Sequence, residues 1–100
     1  MGSLAGLTNV ICTSDYTATS EDGTILIDTA GGNVTITLPA ASKAQFLFIK
    51  RISSGINTAS IARAGSDTIE GAASLSLVSQ FSSRILISDG VSTWYTGSTI

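Results

Sequence analysis

The sequence has 100 residues, 43% hydrophobic and only 12% charged, with a formal net charge of −2 at pH 7; an average soluble domain has about 25% charged residues. There is no His and only one Cys, which excludes His-based acid–base catalysis, Ser-His-Asp and Cys-His nucleophile systems and His-bearing zinc sites. Five basic residues spread thinly exclude the cationic stripe of a nucleic-acid-binding protein. We therefore expect one domain that is not an enzyme and needs no cofactor.

Residues 1–14 are predicted to form an N-terminal arm and a first strand, followed by a β-sandwich domain over residues 15–100. Glycines at positions 2 and 6 loosen the arm, so we expect it to be extended and to order against a neighbour. Cys12 follows two β-branched residues and has no partner for an internal disulfide, which predicts a buried thiol. The first residues lack the pattern of a signal peptide, and no apolar run is long enough to span a membrane. Synthesis in the cytoplasm is therefore expected.

The clearest alternation of apolar and polar residues lies between positions 24 and 38. Residues 34–38 place their apolar side chains at every second position, as in a half-buried strand, and residues 24–28 put Ile25 and Ile27 on one face. Between them, Ala30-Gly31-Gly32-Asn33 is typical of a tight turn, because Gly and Asn adopt positive φ readily. The sequence therefore predicts an antiparallel hairpin here.

Pro39 ends this hairpin because it has no N–H for a ladder. Further strands are predicted over residues 45–52, 58–63, 75–78, 84–88 and 91–95. Lys50 and Arg51 follow four apolar residues and are interpreted as a solvated strand end. Turn signals every eight to twelve residues predict an all-β fold with about eight short antiparallel strands in a β-sandwich or jelly roll. No internal repeat of 20–50 residues is recognised.

Two groups of carboxylates are candidates for a functional site. Asp67 and Glu70 are close enough in sequence to suggest a pair for glycoside hydrolysis, but nothing predicts the cleft that a sugar needs. Glu21, Asp22 and Asp28 could offer oxygens to Ca²⁺, yet they lack the spacing of a calcium loop, so no metal site is predicted. For both groups the favoured interpretation is that the carboxylates cap turns.

Trp94 and Tyr95 are adjacent on the last predicted strand and therefore point to opposite faces. One is expected in the core, and the other is expected to pack at a subunit contact or, as the alternative, to stack on a sugar. So few charges also imply large uncharged surfaces, which would favour association of a free monomer. Homo-oligomerisation or docking on a larger assembly would bury these surfaces, so the composition predicts a structural subunit.

The strand and turn signatures of this chain resemble those of small β-rich domains of tailed-bacteriophage virion proteins. The resemblance rests on Tyr16-Thr17-Ala18-Thr19, on Asp22-Gly23-Thr24-Ile25-Leu26-Ile27-Asp28 and on Asn33-Val34-Thr35-Ile36-Thr37-Leu38-Pro39. Later segments fit the same pattern, namely Phe48-Ile49-Lys50-Arg51, Asp67-Thr68-Ile69-Glu70-Gly71 and Ser88-Asp89-Gly90 before Trp94-Tyr95. None of these is a catalytic motif, so they specify a fold better than a role.

This resemblance implies a homotrimer located in the virion, either as a capsid decoration (cement) protein or as the tip domain of a tail fibre, spike or needle. The stalk repeats or coiled coil of fibre proteins are not present in the sequence, so the expected role is decoration, with the major capsid protein as partner. The alternative is a receptor-binding tip that contacts a host surface glycan or receptor. The residues expected to contact a partner are Leu4, Leu7, Val10, Ile11, Trp94 and Tyr95.

Overall fold

The computed structural model describes residues 8–43 and 45–97, except for the Thr8 side chain. Ten β-strands and no helix are found within these residues, which confirms the prediction of an all-β fold. In chain order the strands are β1 (Thr8–Cys12), β2 (Tyr16–Thr17), β3 (Asp22–Ile27), β4 (Val34–Thr37), β5 (Phe46–Arg51), β6 (Ala59–Ala62), β7 (Thr68–Ile69), β8 (Ser74–Ser76), β9 (Ser83–Ser88) and β10 (Thr93–Thr96).

The first six strands alternate between two sheets. β1, β3 and β5 are parallel neighbours in a six-stranded sheet of order β1-β3-β5-β9-β10-β7. β2, β4 and β6 are parallel neighbours in a four-stranded sheet of order β2-β4-β6-β8. Each consecutive pair of strands therefore forms one coil, and three coils stack as in a short β-solenoid.

The predicted antiparallel sandwich or jelly roll is wrong for these six strands. Ile25 lies opposite Ile49, and Ile36 lies opposite Ile61, so equivalent positions of the second and third coils are 24 or 25 residues apart. Between the first and second coils the spacing is shorter, 15 residues from Val10 to Ile25 and 20 from Tyr16 to Ile36. The chain thus has an irregular structural repeat that is not evident from its sequence. The reason is that the recurring requirement is only an inward apolar side chain, which different residue types satisfy equally well.

The predicted hairpin of β3 and β4 is also wrong, because the two strands belong to different sheets. Residues 28–33 carry the chain around a corner between the sheets. The N–H of Ala30 donates to Asp28 Oδ1 at 2.9 Å, and the N–H of Gly32 donates to the Thr29 carbonyl at 3.1 Å. These local bonds produce the turn that the sequence predicts, but the backbone of β3 bonds to β1 and β5 instead of β4.

The last four strands close one end of the stack. β8 is antiparallel to β6, and β9 is antiparallel to β5, so each sheet continues past the third coil with reversed direction. β10 then pairs with β9, and the two-residue strand β7 forms the edge of the larger sheet. Short edge strands limit pairing with other chains, so this edge of the larger sheet offers little free backbone to another strand.

The core lies between the two sheets and is built from stacked layers of aliphatic side chains. Ile25, Ile27, Ile36, Ile49 and Ile61 are all fully buried. Ile25 is paired in register with Ile49, and Ile36 with Ile61, between the second and third coils, while Ile27 is paired with Cys12 of the first coil. Burial of such a side chain is worth about 1.5–3 kcal/mol, and the period-two pattern therefore fixes which face of each strand points inward. The expected burial of Cys12 is confirmed, at 5% exposure.

Candidate interaction surface

The side of the six-stranded sheet that points away from the core carries mostly apolar side chains. Alternate residues of its strands project there. The apolar ones are Ile11, Leu26, Phe46, Phe48, Ile85, Ile87 and Tyr95. We call these seven residues the apolar face. None of them belongs to the packed core, and Ile11 is 62% exposed, Phe46 55%, Tyr95 50% and Ile87 46%.

The strand registers place these residues side by side. Phe46 is opposite Ile87, which is opposite Tyr95, and together they form a continuous row across β5, β9 and β10. Toward the opposite edge of the same face, Ile11 is opposite Leu26. Between these groups Phe48 lies opposite Ile85. Side chains paired in this way across strands are in contact distance. Leu26 and Phe48 are diagonal neighbours on β3 and β5, a separation that aromatic and long side chains can bridge, so the two groups of the apolar face adjoin.

The charged group that strand alternation places on this side is Lys50, opposite Leu26 and Ser83. Its Nζ atom lies 5.6 Å from the centre of the Phe81 ring, a cation–π distance. Phe81 itself has a φ of 70°, which is uncommon for an aromatic residue. Lys50 is therefore held at the border of the apolar face by a ring in a constrained position.

The outer side of the four-stranded sheet has the opposite character. Its outward residues are Thr17, Thr35, Thr37, Ser60, Ala62, Ser74 and Ser76. Hydroxyl side chains remain hydrated at little cost, so this surface needs no covering. The two outer sides account for the unusual composition: few charges, with apolar residues on one side and Ser and Thr on the other.

A shallow cavity of 470 Å³ lies at the β1–β3 edge of the apolar face. It is lined by Asn9, Val10, Ile11, Thr24 and Leu26. These are mostly apolar or small uncharged side chains, so the cavity suits an apolar or aromatic side chain better than an ion.

A second, smaller cavity of 180 Å³ lies beside the buried Arg51. Its guanidinium donates to the carbonyls of Ser53, Gly55, Asn57, Leu77 and Val78 and to the Thr29 hydroxyl, at 2.8–3.3 Å. A guanidinium has five N–H groups, and six oxygen atoms accept from them here. No donor is left for an anion, so Arg51 is a structural residue that joins three loops.

The interpretation of Arg51 as part of a solvated strand end is therefore wrong. Arg51 is 2% exposed, whereas Lys50 is half-buried on the outer side. A signal was present in the sequence: Arg51 has the same parity in the strand as the apolar Leu47 and Ile49. Alternation alone would have placed it inward.

The carboxylates considered as catalytic groups accept backbone hydrogen bonds. Asp67 Oδ2 accepts from the N–H of Ala41 at 2.9 Å, and Glu70 Oε2 accepts from the N–H of Thr96 at 3.0 Å. Glu70 has a φ of 50°, in the left-handed region, at the turn before β8. Both carboxylates therefore fasten loops, as the capping interpretation predicts.

Two of the three acidic residues proposed for Ca²⁺, Asp22 and Asp28, are likewise engaged in turns. Asp22 is 3% exposed, and its Oδ2 accepts from the N–H of Thr19 at 2.9 Å. Asp28 Oδ1 accepts from Ala30, as described above. Within the described ranges, no three His, Cys, Asp or Glu side chains come together in a way that could hold a metal ion.

Asp22 also orders the first coil through Tyr16. The Tyr16 hydroxyl donates to Asp22 Oδ2 at 2.8 Å. This hydrogen bond stabilises the protonated phenol, and together with burial and the Asp22 charge it raises the pKa of Tyr16 to about 12. Burial, with a further contribution from Asp22, also raises the pKa of the Cys12 thiol. The surroundings of Asp22 therefore keep the Tyr16 phenol and the Cys12 thiol protonated, and these two groups are poorly suited to nucleophilic chemistry.

The predicted contact residues fall into three groups. Leu4 and Leu7 lie outside the described residues. Ile11 and Tyr95 are on the apolar face, where they are accessible to a partner. Val10 packs against the core from β1, and Trp94 is fully buried, with its indole N–H 3.3 Å from the Pro39 carbonyl. The expectation of a partner contact is wrong for Trp94, because strand alternation turns it inward and Tyr95 outward.

No protein-family model matches the sequence, and no curated protein matches it significantly. The described residues contain no helix with the length and hydropathy needed to cross a membrane. A functional proposal therefore depends on the surfaces of the molecule itself and on the resemblance of its strand and turn signatures.

Proposed function

We propose that the protein is a structural, non-catalytic subunit of a tailed-phage virion, and that it works as a homotrimeric decoration protein on the outside of the capsid. The observation that carries the structural part of this proposal is the apolar face. The largest contiguous apolar patch of a monomeric protein is often its binding surface, so the apolar face is the surface best suited to contact a partner. The assignment to a phage virion rests on the resemblance of the strand and turn signatures.

The two outer sides of the molecule fit this role. In an assembly that covers the apolar face, the Ser- and Thr-rich side of the four-stranded sheet would face solvent. That side carries hydroxyl groups without an apolar patch, so it would resist further association. The charge-poor composition then follows from the division of the surface between subunit contact and solvent.

A decoration protein would stabilise the capsid by mass action. A ligand that binds only the assembled lattice stabilises it by RT ln(1 + [L]/Kd), about 2.7 kcal/mol per site when its concentration is 100 Kd. A trimer at each three-fold position of a lattice would hold neighbouring capsid subunits together. No catalytic group is needed for this action.

Immunogold labelling of phage particles with antibody to this chain tests the proposal. Label over the whole shell is expected, and removal of the protein should then lower the temperature at which the capsid loses its DNA. Absence of label from every particle would contradict the assignment to a virion.

The second candidate is a terminal, receptor-binding tip of a tail fibre or spike. The topology favours it in one respect: β8 and β9 close one end of the coil stack with antiparallel strands, as the outer end of a tip requires. Gold label confined to the tail would support this role. A glycan array would then test sugar binding, with Tyr95→Ala as the variant expected to lose it if this ring stacks on the sugar.

A further inference from the structure

We draw no further inference here: the strongest candidate, the apolar face on the outer side of the six-stranded sheet together with the cavity at its β1–β3 edge, carries none because nothing in the structure shows what covers it.

Discussion

The guanidinium of Arg51 donates a hydrogen bond of 3.0 Å to the carbonyl of Leu77, and so joins the end of β5 to the loop after β8. The same side chain reaches Thr29 in the preceding coil and Asn57 in the loop before β6. One cation thus connects the second coil, the third coil and the closing strands. Satisfied polar networks of this kind fix one arrangement of loops.

We expect Arg51→Met to destabilise the protein by about 3 kcal/mol or more, because several buried carbonyls lose their donor at once. The free energy of unfolding in urea measures this effect. Arg63→Met, at an exposed arginine, is the matched control and should change stability little. A loss below about 1 kcal/mol for Arg51→Met would mean that water replaces the guanidinium without cost.

The neighbours Trp94 and Tyr95 should behave in opposite ways when truncated. Trp94→Ala removes a fully buried ring and is expected to cost about 3–5 kcal/mol of stability. Tyr95→Ala removes a half-exposed ring, so it should leave the fold intact and weaken self-association. Urea denaturation at a protein concentration too low for association measures the effect of each change on the stability of the folded chain alone. Equal destabilisation by both changes would contradict the inward and outward assignment.

Alkaline pH should weaken the fold through Tyr16. Its pKa is about 12 in the folded protein, against an ordinary value near 10. Between these pH values the unfolded chain loses the phenol proton while the folded chain retains it, so stability falls as pH rises and is intact below pH 10.

A Tyr16→Phe variant serves as the comparison for this pH effect. It should show a shallower loss of stability between pH 10 and 12, although its stability at pH 7 should be lower, since Asp22 loses a donor. Thermal denaturation at a series of pH values measures both quantities. Parallel curves for the two proteins would exclude Tyr16 as the titrating group.

The Cys12 thiol should be unreactive in the native protein. It is 5% exposed, and burial raises its pKa, so little thiolate is present or accessible at neutral pH. A chromogenic disulfide reagent is expected to label it slowly in buffer and at once in denaturant. Rapid labelling under native conditions would show that β1 opens readily from the edge of its sheet.

Local features of the fold could be predicted from the sequence, but its pairing could not. Alternation places Ile36 inward and puts Trp94 and Tyr95 on opposite faces, but which of the two is inward is shown only by the structure. The sequence also predicts the turn at residues 30–33, within the corner that the structure forms at residues 28–33. Whether β3 bonds to β4 or to β5, however, depends on contacts 24 residues apart, such as Ile25 with Ile49. A period-two pattern is the same in a hairpin and in a solenoid coil, so local sequence cannot distinguish them.

The candidate surface was only partly predictable for a related reason. The low charge content indicated a buried contact, and Ile11 and Tyr95 were named as contact residues. Phe46 and Phe48 stand in a run of four apolar residues, which is typical of a strand buried on both faces, so the sequence does not indicate that they lie on an open face. The structure has nothing in its described part on the outer side of that strand, so the apolar run marks the sheet face that we propose for assembly.

The mass of the protein in solution tests the central claim most directly. Sedimentation at micromolar concentration is expected to give three times the 10.2 kDa of the chain. Ile87→Glu, in the middle of the apolar row, should give folded monomers, whereas Thr17→Glu on the hydroxyl-rich side should remain trimeric. A monomeric wild-type protein would contradict the account, as would an Ile87→Glu variant that is folded and still trimeric.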